Sequence, residues 1–277
     1  MSDGKAKHRD VLVILTMISS LSHTSPIYSQ LNPLELMNFL VDPDDITANK
    51  DYKHVFKCLQ NVLLQNKGIK IQGFCITPAI LHLHLELNGL SSHQLRFLLD
   101  SNDKQDVILA YSLLKEIWSL PPPPTSSNPA FFQVWEALNL YGHFAYHLMM
   151  PYICHDLSLQ EQLIHLNTVT HLTLHLYCDN SAQTHFLLTQ LIVNIIIMVK
   201  NSFFCIEKLK VNNSTGQFCL ILLGTDHLKT FFGLMLMLIC YNSEVVPLAS
   251  LKLQPSLPNT LNGIRGLTVL FNLPVIF

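Results

Sequence analysis

DYKHVFKCLQNVLL, residues Asp51 to Leu64, is the stretch on which the reading of the fold turns. Val55, Phe56, Leu59, Val62 and Leu63 recur at i, i+3, i+4 spacing, which puts them on one face of a helix. The spacing predicts a helix here, with Asp51 ahead of it and Gly68 as its C-terminal stop. Two chemistries compete for Asp51. A carboxylate in front of a helix accepts hydrogen bonds from the free N–H groups of the first turn, and a carboxylate is equally a ligand for a divalent metal.

Upstream, Val11 to Ile18 is β-branched and apolar and reads as a buried strand or a short helix. Ser22 to Pro33 reads as a loop, Pro33 as the first residue of a short helix through Leu34, Met37 and Leu40, and Asp42 to Asp45 as an acidic turn. Downstream, a helix from about Pro78 to Leu87 ends near Asn88-Gly89. Ser91/Ser92 caps another to Leu99, and Asn102 with Asp103 opens a third through Trp118. Pro121 to Pro124 and Thr125 to Pro129 form a Pro-rich linker, extended and exposed.

Three long helices are expected beyond it, about 129 to 150, 159 to 178 and 182 to 210. Ser158 and Glu161 make a capping box for the second, and Ser181 precedes the third. Gln217 to Leu223 reads as a buried strand leading through Gly224 into a helix from about Thr225, and 247 to 277 as an irregular tail.

At 277 residues and 49% hydrophobic, the chain has material for one large domain or a main domain with an inserted one. Charged residues are only 13% and mean hydropathy is +0.31, so the surface is sparsely charged. A net charge of -2 and a pI near 6.7 give no global field for nucleic acid or an anionic membrane, so DNA binding is not expected. Seven cysteines without a CxxC pair suit buried thiols in a reducing compartment, nuclear or cytoplasmic. Asp3 and Asp10 argue against reading Val11 to Leu21 as a secretory signal, and without one the sequon at Asn213 carries little meaning. The uncharged runs at 186 to 199 and 230 to 243 are shorter than the roughly 20 residues that span a bilayer. They read as buried helices, with membrane association as the alternative.

Fourteen histidines include two HxxxH pairs, His143/His147 and His171/His175, which on a helix could chelate a metal or simply pack. Neither pair carries the Glu of HExxH. Asp100, Asp103 and Asp106 read as cap and first-turn acids or as a carboxylate cluster. No GxSxG, P-loop or GxGxxG motif occurs.

The opening stretch resembles the D-P-P-H-L-L-K-x-x-R-N-x-L signature of P-element-type transposases, with Asp51, His54, Lys57 and Asn61 on matching positions. Tyr52, Lys53 and Gln60 depart from it. Thr225 to Gly233, TDHLKTFFG, resembles the family's D-x-L-E-x-F-F-G segment, with Lys229 where the late catalytic glutamate stands. Ser2-Asp3-Gly4, Asp103 to Val107 and Leu222 to Leu234 are similar, in order, to segments of transposon-associated fungal proteins. The resemblance implies an RNase H-like core split by a helical insertion, with Asp51 at a strand end binding a catalytic Mg²⁺. It also implies losses. Lys229 puts a cation where a metal ligand should be, Met235 replaces an expected arginine, and the strand bearing the first catalytic Asp and the DNA-binding finger are expected to be lacking.

The expected fold is therefore mainly α (α+β), a partial RNase H-like core interrupted by a large helical insertion. Residues 1–75 form a core segment, 76–215 the insertion with its linker at 120–129, 216–246 a returning strand and helix, and 247–277 a degraded tail. The expected function is that of a transposase-derived remnant with no catalytic residues, an inherited Asp51 metal position and no retained cofactor. The alternatives are a helical module that binds an intact relative or another copy of itself, and a membrane-associated protein.

Overall fold

The computed structural model describes residues 15–100, 106–178, 186–187, 189–226, 230–231 and 233–234. Over these the chain is mainly helical, as the sequence spacing predicts. Two short antiparallel pairs supply the strands: β1 (Ser19–Ser20) with β2 (Leu40–Val41), and β3 (Ile69–Ile71) with β4 (Phe74–Ile76). The helices are α1 (Tyr28–Leu31), α2 (Tyr52–Leu63), α3 (Pro78–Leu87), α4 (Ser92–Leu98), α5 (Val107–Trp118), α6 (Pro129–Ile153), α7 (Leu159–Cys178) and α8 (Thr189–Asn212). A 3-10 turn covers Leu220–Leu223.

Local chemistry accounts for most helix starts. Asp51 caps α2 by accepting from the Lys53 N–H, Thr77 caps α3 with Pro78 in its first turn, and Asp106 accepts from Ile108 and Leu109 at the start of α5. Ser91 with Gln94 and Ser158 with Glu161 form reciprocal capping boxes on α4 and α7. Asn102, Asp103 and Ser181 lie outside the described residues.

The chain departs from the sequence expectation in several places: α5 opens at Asp106 rather than at Asn102 and Asp103, and α8, expected from about 182, begins at Thr189 after a bend at 186–187. Pro33 opens no helix, because Leu34, Met37 and Phe39 pack against Leu31, Val41 and Phe204 while Leu40–Val41 pairs with Ser19–Ser20. One helical turn, α1, instead interrupts the predicted loop. Gly68 is not the stop of α2, which ends at Leu63; at φ +64 it turns the chain into β3, where a Cβ would lie 2.2 Å from the Ile76 carbonyl oxygen. The β3–β4 hairpin itself was not expected. Finally, Gln217 to Leu223 contains the 3-10 turn rather than a strand, and only Leu220 in it is buried.

The core is built around α2, α5, α6 and α8. α2 packs between α5 and α8, α6 packs on α5 and α7, and the 3-10 turn rests on α6. Val55, Phe56, Leu59 and Leu63 of α2 are essentially inaccessible, as are Leu113, Ile117, Tyr141, Phe144 and Ile195. The α5–α6 contact is close because residue 142 is glycine: a Cβ there would lie 2.8 Å from Trp118 Cα. A smaller cluster of Leu21, Ile27, Leu31, Val41 and Phe204 ties β1, β2 and α1 to α8. α8 is long and apolar enough to cross a membrane, but 67% of its most apolar window is buried inside the protein.

Candidate functional site around Asp51 and Asp226

The segment leading into α2 is held against the far end of the chain. Thr47 Oγ1 donates to Asn201 Oδ1 at 2.8 Å, and Asn49 Nδ2 donates to the Leu223 carbonyl at 2.7 Å. Thr225 Oγ1 donates to Asp51 Oδ2 at 2.6 Å, and the Lys53 ammonium is paired with Asp226. Two stretches 174 residues apart, DYKH and TDHLK, thus meet at the N-terminus of α2.

The two oxygens of Asp51 are divided between tasks. Oδ1 takes the Lys53 N–H at 3.0 Å as a helix cap, and Oδ2 takes the Thr225 hydroxyl. Lys53 is held above its usual basicity chiefly by its hydrogen bond to Asp226, which outweighs the opposing effect of burial. Behind the polar cluster, the Tyr52 ring stacks on Tyr152 with centroids 4.6 Å apart, and Gly224 leaves room for the Tyr52 edge. Burial raises the pKa of both tyrosines, so both phenols stay neutral near pH 7.

This donor set does not suit a pair of Mg²⁺ ions. Two-metal catalysis needs anionic ligands between and around ions about 3.5–4 Å apart, whereas here Asp51 is committed to a cap and a hydroxyl and Asp226 to an ammonium. Among the described residues no three His, Cys, Asp or Glu side chains converge on a common point. Lys229 lies outside the described residues.

The remaining sequence candidates disperse. His54 Nε2 sits 3.5 Å from Cys58 Sγ on its own helix, and Gln60, standing where the transposase signature has arginine, is fully buried with neither amide atom partnered. His147 pairs not with His143 but with His165 of α7, Nδ1 to Nδ1 at 2.9 Å, and burial lowers the pKa of both rings. His171 lines a cavity next to α8. Asp106 is a cap, Asp100 lies beyond α4, and Asp103 is outside the described residues.

Sequence spacing missed Lys200, which closes the apolar run of α8 yet is only 5% exposed. The signal was a lysine placed directly after the uncharged run 186–199.

The chain matches no protein-family model, no curated protein and no solved structure.

Proposed function

We propose that this chain descends from a transposase-like nuclease and acts today without catalysis. The reading is supported by one observation above the others: the two motif stretches that would carry metal ligands in an RNase H-like core lie side by side, with their acidic groups tied up by Thr225, Lys53 and a helix N-terminus. Asp51 then serves as the anchor of α2, and no Mg²⁺ is retained. The test is DNA cleavage by the purified chain in Mg²⁺ or Mn²⁺. No turnover above background is expected; cleavage abolished by Asp51→Ala would overturn the reading.

A second reading, a helical binding module that docks on a relative or on another copy, has its own observation. Leu83 and Leu87 of α3, Phe97 of α4 and Ile108 of α5 are all large, apolar and between 47% and 76% exposed on consecutive helices. Light scattering across a concentration series tests it. A mass that rises with concentration and falls to the monomer in Phe97→Glu supports docking, and a monomer throughout that captures no intact relative excludes it.

A further inference from the structure

Between the 33–38 segment, α7 and α8 lies a cavity of about 250 Å³. Leu34, Met37, Ile196 and Phe203 give it apolar walls, and Asn167 and Thr170 add polar edges. Lys200 reaches it from α8. Its ammonium donates to the Leu40 carbonyl and, at 3.4 Å, to Asn38 Oδ1. An ammonium has three donors, so one stays open, and among the described residues no carboxylate pairs with it. Phe204 offers only its ring, 5.3 Å away.

A buried cation without a counter-charge is costly, and proteins relieve that cost by pairing it or by releasing its proton. Burial has already pulled the Lys200 pKa down to about 8. Glu35 and His171 of α7 are the other titratable groups lining the cavity, and both are exposed, so water screens any charge they carry.

We infer that this cavity binds a small amphipathic monocarboxylate, its head group on the open donor of Lys200 and its alkyl chain against Leu34, Met37, Ile196 and Phe203. The anion supplies the missing counter-charge, and the apolar walls supply the rest of the affinity. An uncharged alcohol of equal length fills the same space without meeting the cation. None of the residues lining it belongs to the cluster around Asp51 and Asp226, and the inference does not depend on the ancestry proposed above.

The test is calorimetric titration of the full chain with octanoate at pH 7, with hexanoate and 1-octanol as comparisons. Octanoate should bind saturably, more than about tenfold tighter than octanol. Each buried methylene should add about fourfold, so hexanoate should be roughly 15-fold weaker. Raising the pH from 7 to 9.5 should weaken octanoate at least about tenfold as Lys200 loses its proton. Lys200→Met should do the same at pH 7, and Ile196→Trp, which fills the cavity and keeps the amine, should abolish binding. Circular dichroism melting checks that each variant is folded, and the pH series needs no variant. Absence of saturable octanoate binding, or an affinity unchanged between pH 7 and 9.5, overturns the inference.

Discussion

Gln60 is the side chain whose chemistry fits its surroundings least. Fully buried, with neither Nε2 nor Oε1 partnered, it carries the desolvation cost of an amide without a compensating hydrogen bond. Gln60→Met, similar in volume and apolar, is expected to stabilise the fold by about 1 kcal/mol in urea denaturation. Asp51 should respond in the opposite sense. Asp51→Ala removes the α2 cap and the Thr225 contact together and is expected to cost about 1–2 kcal/mol, while Asp51→Asn keeps a capping oxygen and costs less than half of that. If Asn proves as damaging as Ala, the negative charge rather than the cap is what holds this corner. Asp51's position before a helix was legible from its sequence neighbours alone. Its bond to Thr225 was not, because no periodicity relates two residues 174 apart.

Helices whose start signals are local were legible as elements. Asp51, Thr77-Pro78, Ser91 with Gln94, and Ser158 with Glu161 each satisfy a backbone donor within three residues, so the information lies where the helix begins. The hairpin was illegible because its strands are three residues long and its turn is Gln72-Gly73, with Gln72 in the left-handed region at φ +50, rather than the strongly signalling Asn-Gly. Pro33 misled because a residue suited to opening a helix also suits an extended segment, and packing on Phe204 decided between them.

Two glycines test these elements. Gly68→Ala forces a Cβ onto the Ile76 carbonyl at a positive φ and should cost about 3 kcal/mol. Gly89→Ala, at φ +92 in open space, should cost about 1 kcal/mol from backbone strain alone. Denaturant midpoints compare them directly, and equal losses would mean the hairpin gives way to the methyl.

The contact between α6 and α7 should also sense pH. A hydrogen bond between the His147 and His165 rings needs a neutral acceptor nitrogen, and both pKa values are depressed from 6.5 chiefly by burial. For His147 the charges of His165 and His143 lower it further, while for His165 the charge of Glu161 opposes. The unfolded chain therefore binds protons more readily than the folded one just below pH 6.5. Stability is full above about pH 6.5 and falls as pH drops toward the folded values. Melting temperature should fall between pH 7 and 5, and His165→Gln should flatten the slope. His84, shifted the same way by burial, retains a part of it.

For the molecule as a whole, one connected core runs from Tyr52 to Leu220 and draws on α2, α5, α6 and α8 alike. It crosses the Pro-rich stretch, since α5 before it and α6 after it pack around Gly142. Thermal unfolding followed by calorimetry should accordingly give a single cooperative transition, and proteolytic nicking between Pro121 and Ser127 should leave the two pieces eluting together. Two separate melting steps would show that the core is not one unit. The mainly helical class was legible because long 3.6-residue periods dominate the chain. Which helices are neighbours was not, because that depends on contacts between residues far apart in sequence.

The clasp formed by Thr47, Asn49, Asp51 and Lys53 on Asn201, Leu223, Thr225 and Asp226 carries a consequence for biosynthesis. Its two halves are 154 to 174 residues apart, and at about 5–20 residues per second a ribosome needs on the order of 10–30 s to deliver the second after the first. For most of that interval, until residue 212 has been added, the apolar face of α2 waits for a complete α8. A nascent chain arrested before residue 189 should therefore be a substrate for chaperones, and one released after 226 should let them go.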